Sequence, residues 1–216
     1  MEQALQNVVK NLEKNGMKPY VVERKEEILP LLQTLIPNGA SIGVGGSESL
    51  KEIDAIQWIR KSGYDFFDRY APELTREQAL EVMRQALLAD VFLTSTNAIT
   101  EKGELYNVDG NGNRIAAFCY GPKRVIVIAG INKIVPDVAA AVRRVKEIAA
   151  PKNVARLSKK TPCGKTGACI SLLKDDNDIC DGCLSEDRIC STYIISGKQM
   201  LKDRIQVILC KENLGY

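Results

Sequence analysis

The chain has 216 residues, 45% hydrophobic and 26% charged, with a formal net charge of +3 and no histidine. That balance describes an ordinary globular protein, and charge so weak and interleaved argues against a nucleic-acid partner. No apolar run approaches a membrane span, and without imidazole neither a Ser-His-Asp triad nor a His-ligated zinc can be built from this chain.

Leu5, Val8, Val9 and Leu12 share one face of an amphipathic helix over residues 2–15, which Gly16 ends. This start lacks the basic and continuously apolar pattern of a signal peptide, so a cytoplasmic location is expected. Residues 19–22 read as a strand, 26–36 as a helix, 40–44 as a short buried strand and 50–61 as a helix stopped at Gly63. Residues 64–67 can form another strand. Thr75 with Gln78 opens a helix, close to a capping-box pattern, that runs to Ala89. Residues 91–94 are a strand, and 98–100 with 104–108 a hairpin around Lys102-Gly103.

The unbroken β-branched run at 125–129 predicts a strand buried on both faces, followed by a helix over 137–150. After Pro151 the character changes. Residues 158–190 are rich in Lys, Asp, Gly and Cys without periodicity, and strands return at 192–196 and 205–209. The alternation predicts an α/β fold with a mostly parallel sheet and helices on both sides, one domain over 1–216 with a cysteine-rich insertion at 158–190.

Two segments carry candidate binding chemistry. Gly43, Gly45, Gly46, Ser47 and Ser49 stand between a strand and a helix, where a glycine loop can cradle a phosphate or carboxylate. The loop lacks the Walker ending and the third glycine of a dinucleotide fingerprint, and a tight turn without ligand stays open. The stretch from Thr94 to Arg114 is unusually polar and follows a buried strand. In it Thr94, Ser95, Asn97, Asn107 and Asn113 can hold a substrate, Glu101, Glu104 and Asp109 can orient or deprotonate it, and Arg114 can pair with an anionic group. The alternative is a hairpin whose Asp109-Gly110 and Asn111-Gly112 are turn chemistry only.

Five of the seven cysteines, Cys163, Cys169, Cys180, Cys183 and Cys190, fall within 28 residues. Only Cys180 and Cys183 have knuckle spacing, and the set matches neither a two-pair zinc ribbon nor a common ferredoxin pattern. Zinc, an iron–sulfur cluster and metal-free thiols all stay open, with one thiol to spare. Cys119 and Cys210 are expected to be buried packing groups.

GVGGSES, TSTNAITEKGELYNVDGNGNRIAAFCYGPKRVIVIAGINKIV, TPCGKTGAC and CLSEDRIC together resemble the LUD-domain (lactate-utilisation, LutC-like) family in its short cysteine-bearing branch. The resemblance implies an open three-layer α/β/α sandwich of the sugar-phosphate isomerase and CoA-transferase type. It also implies a role in small organic-acid metabolism beside iron–sulfur partner proteins, acting on an anionic substrate. Two other readings stand beside it. One is an isomerase or acyl-transfer enzyme using Glu101; the other is a non-enzymatic metal-dependent redox sensor or assembly factor. A homo-oligomer is compatible with each.

Overall fold

A computed structural model describes residues 2–174 and 178–216; residues 175–177 of the predicted insertion lie outside them. The elements in chain order begin with α1 (Glu2–Lys14), β1 (Lys18–Val22), α2 (Ile28–Leu35), β2 (Ser41–Val44), α3 (Glu48–Glu52), α4 (Ala55–Lys61), β3 (Asp65–Phe66) and α5 (Arg76–Gln85). They continue with β4 (Val91–Thr94), β5 (Ala98–Thr100), β6 (Leu105–Asp109), α6 (Asn113–Cys119), β7 (Arg124–Gly130), β8 (Ile134–Val135) and α7 (Val138–Arg144). Last come α8 (Ala150–Arg156), α9 (Pro162–Thr166), β9 (Thr192–Ser196) and β10 (Ile205–Cys210).

Six strands form a fully parallel sheet in the order β1-β10-β7-β4-β2-β3. The period-2 alternation of side chains puts both faces of its central strands into apolar cores, with Thr94, Arg124 and Gln206 the polar exceptions. In β7, Ile126 and Ile128 enter the core under α2, α3 and α4, while Val125, Val127 and Ala129 enter the core with α1 and α6. β10 divides in the same way, Ile208 and Cys210 against Ile205, Val207 and Leu209. Helices therefore flank both faces, as the three-layer arrangement requires.

A second sheet, β8-β5-β6-β9, packs Ile99, Leu105 and Ile194 into the α1 side. Its other face carries Ala98, Tyr106 and Val108 onto Ala141, Val145 and Ala150, with Cys190 and Tyr193 beside them. The cysteine-rich segment thus enters between the two sheets' elements. Of the strands that follow it, β9 joins the small sheet and β10 the large one.

Four details depart from the sequence expectation. The helix expected over 50–61 is two helices, broken at Asp54, which sits at φ 54°. Residues 113–119 form a helix that the Asn/Gly-rich turn before them concealed. The helix expected to end at 150 runs on to Arg156 through a wider π turn over Val145–Ala149. Pro151 has no N–H for the Glu147 carbonyl, and a π turn just before it absorbs that mismatch. Cys119 is exposed, contrary to its expected burial, because it closes α6 at the surface; Cys210 is buried as expected.

Candidate functional site

β2, β4 and β7 end at one edge of the parallel sheet, and the loops leaving them meet there. They bring Gly46 and Ser47, Ser95 to Asn97, and Lys133 around a pocket of about 630 Å³, part of it open to solvent. Asn153 and Arg156 of α8, Ile189, Cys190 and Tyr216 line its other side. Ligands of open α/β sheets bind outside the carboxyl ends of strands, and this pocket stands there.

Lys133 is the least expected of these groups. It is 3% exposed, and its Nζ donates to Ser49 Oγ and Ser95 Oγ, each at 2.9 Å. Burial lowers its pKa to about 7, helped by the charges of Arg144 and Arg114 and opposed by Glu52. An ammonium has three donors, so one is left without a partner among the described residues. Arg144, itself lowered by burial to about 10, ties the two loops together by donating to Asn97 O (2.6 Å) and Asn132 O (3.1 Å).

Arg156 brings a second cation to the rim. It bonds Asn153 Oδ1 (2.7 and 3.1 Å) and Tyr216 Oη (3.0 Å) and pairs with Glu48 at 3.3 Å. It is partly exposed and can re-pair with an incoming anion.

Arg114 has the opposite character. Nη1 donates to Ser95 O and Asn107 Oδ1, Nη2 to Asn97 Oδ1 and Val108 O, and Nε to Asp109 Oδ1 at 3.4 Å. All five guanidinium donors are spent on the chain. Arg114 therefore builds the pocket wall and has no fork left for a ligand, unlike the bidentate role expected from sequence. Asn97, Asn107 and Asp109 serve the same network. Asp109 also accepts from Arg114 N at 3.0 Å, and Asn107 Nδ2 is buried without a partner among the described residues.

The glycine loop divides by role. Gly46 and Ser47 line the pocket. A Cβ at Gly45 would stand 2.8 Å from Thr94 Oγ1 and 2.9 Å from Arg114 Cγ, and one at Gly43 would meet Ala86 and Phe92. Those two glycines serve close packing. Ser47 caps α3 by accepting from Leu50 N, while Ser49 lies beneath Lys133 and bonds Leu214 O. Thr94 is buried and donates to Ser95 O.

Glu101 and Glu104 stand elsewhere. β5 leads the chain away from the pocket, so both sit at the β5–β6 turn against α1. There Glu101 Oε2 accepts from Asn7 Nδ2 (2.9 Å) and Glu104 Oε2 from Thr100 Oγ1 (2.7 Å). Asn113 opens α6, half-buried and outside the pocket lining.

A second pocket, of about 450 Å³ and partly open, lies beyond a wall shared with the first: Val145, Ala150, Ile189 and Cys190. Cys163, Cys169, Cys183 and Cys190 line it with Tyr106 and Tyr193, while Cys180 is exposed. Burial first, then the nearby Cys169 and Cys163, pushes the Cys190 thiol up to about 11. Among the described residues, no three Cys, Asp or Glu side chains converge tightly enough to hold a single metal ion.

Lys133, Asn153, Arg156 and Tyr216 were not singled out from sequence. The signal for Lys133 was its place in the loop after β7, at the same sheet edge as the glycine turn.

The family model of the LUD domain matches residues 5–210. The crystal structure of a DUF162-family protein from Deinococcus radiodurans has 16% sequence identity and a TM-score of 0.52 over 97% of each chain, which shows a common fold. No curated protein matches the chain. No helix among the described residues is long and apolar enough to cross a membrane.

Proposed function

We propose that this chain, which belongs to the LUD-domain family, binds a small carboxylate of the 2-hydroxy or 2-oxo acid class at the carboxyl edge of its sheet. Membership supports a lactate-utilisation type of protein, and the pocket gives that reading a chemical form. The observation that carries it is the buried Lys133 amine, held by two serine hydroxyls at the pocket floor with a donor to spare. In so dry a place a carboxylate gains a charge-assisted hydrogen bond that water would otherwise weaken. Binding an anion also relieves the cost of protonating the buried amine. Arg156 at the rim supplies a second cation, and Ser47, Thr96 and Asn97 supply polar neighbours for a hydroxyl or keto oxygen. Glu48 and Asp109, the acidic side chains at this pocket, are already paired with Arg156 and Arg114.

Calorimetric titration with L-lactate, pyruvate and, as controls, a neutral amide of each tests the reading. The acids bind and the amides do not, and Lys133→Met weakens the acids at least tenfold, about 1.4 kcal/mol. Equal binding of acid and amide, or unchanged binding by the variant, refutes it.

A further inference from the structure

We propose that Cys163, Cys169, Cys183 and Cys190 ligate a [4Fe–4S] cluster, and that Cys180 is not a ligand. Four of the five clustered thiols face one pocket, and the fifth, Cys180, is exposed and outside its lining. The four surround a space instead of meeting at a point. Zinc would draw its sulfurs to about 2.3 Å from a single ion, whereas these four are spread, with Tyr106 and Tyr193, over the wall of one pocket. A cubane places each thiolate on a different iron, so its ligands stand around a volume.

The surroundings fit an anionic cluster. Four thiols lose their protons to solvent as four iron–thiolate bonds form. A core of two ferric and two ferrous ions with four sulfides carries a charge of about +2, leaving the ligated cluster at about −2. Lys146 and Arg188 line the same pocket together with Asp181, so the two cations outnumber the one carboxylate and partly offset that charge.

Arg188 also gathers the ligand loop. It donates to the carbonyl oxygens of Cys180 (2.7 Å), Cys183 (3.1 Å) and Cys190 (2.8 Å). The packing is close enough that a Cβ on Gly182 would stand 2.8 Å from Arg188 Cζ. On the far side, Lys146 Nζ donates to Asp178 O (2.7 Å) and Cys169 N to Lys146 O (2.9 Å), anchoring a third ligand to the π turn. The assignment stands independently of the carboxylate reading, since none of its ligands but Cys190 touches that pocket.

The test uses the full chain, purified without oxygen and incubated with equal amounts of ferrous and ferric iron and with sulfide, which supply the mixed-valence core without a further oxidant. The expected result is about four iron and four sulfide per chain with a broad absorption near about 400 nm, and a paramagnetic signal after one-electron reduction by dithionite. Cys163→Ala and Cys183→Ala each lose more than half of the iron, while Cys180→Ala keeps the wild-type content. Far-UV circular dichroism of the metal-free variants separates lost ligation from lost folding. One zinc per chain in place of iron, no iron uptake by the wild type, or loss of the cluster in Cys180→Ala overturns the assignment.

Discussion

The two neighbouring pockets share four wall residues but differ in what holds them open. The sheet-edge pocket is framed by loops at the ends of parallel strands, and its polar wall is held internally by Arg114, Arg144 and their acceptors. The cysteine pocket has Tyr106, Val145, Ala150 and Tyr193 on one side and, on the other, a segment whose regular elements among the described residues are the short α9 and a single 3₁₀ turn, with Arg188 holding its carbonyls. A frame of strands is held by its own ladder of hydrogen bonds; a frame of loops has fewer such bonds and opens more readily. The comparison also separates two uses of arginine. Arg114 and Arg188 are builders that spend their donors on the chain, whereas Lys133 and Arg156 face a space that a ligand can enter.

The largest effect that can break this comparison is at Arg114. Removing it as Arg114→Ala strips buried acceptors on Asn97, Asn107, Ser95 and Val108 and leaves Asp109 without its partner. A loss of about 3–5 kcal/mol is expected. Urea unfolding measures it, and a cost below about 1 kcal/mol would show that the wall does not depend on this network. The smallest effect is at Glu101, far from both pockets. Glu101→Gln keeps an acceptor for Asn7, so carboxylate affinity should stay within twofold and stability within about 1 kcal/mol. A large loss of binding would return Glu101 to the site and dissolve the distinction between pocket and hairpin tip.

How much of this was legible in the sequence follows from local physics. The strands at 91–94, 125–129 and 205–209 were readable because burial on both faces favours apolar residues at nearly every position, Thr94 and Gln206 excepted. The capping box at Thr75 and Gln78 forms as its spacing predicts. The glycine turn lies at a sheet edge, yet of Gly43, Gly45, Gly46, Ser47 and Ser49 it is Gly46 and Ser47 that line the pocket, because a glycine required for packing looks the same in sequence as one required for a ligand. Glu101 stands apart from the pocket for a topological reason: β5 carries the chain away from the edge at which β4 ends, to a turn against α1. Arg156 was hidden by Pro151, which ordinarily ends a helix but here follows a π turn that lets the helix continue. Lys133 was hidden because a single lysine in a loop is ordinarily solvated, and only the tertiary meeting of three strand ends buries it.

The most direct test of the central claim, that Lys133 holds the carboxylate, is the affinity for L-lactate or pyruvate as a function of pH from 6 to 9, in the wild type and in Lys133→Met. The ligand stays ionised throughout, so the change reports the protein. With a free-site pKa of about 7, Lys133 is protonated below that value and neutral above it. Affinity should therefore be level below about pH 7 and fall above it by up to about tenfold per unit, while Lys133→Met binds weakly and without that slope. A flat profile in the wild type, or the same slope in Lys133→Met, would contradict the account.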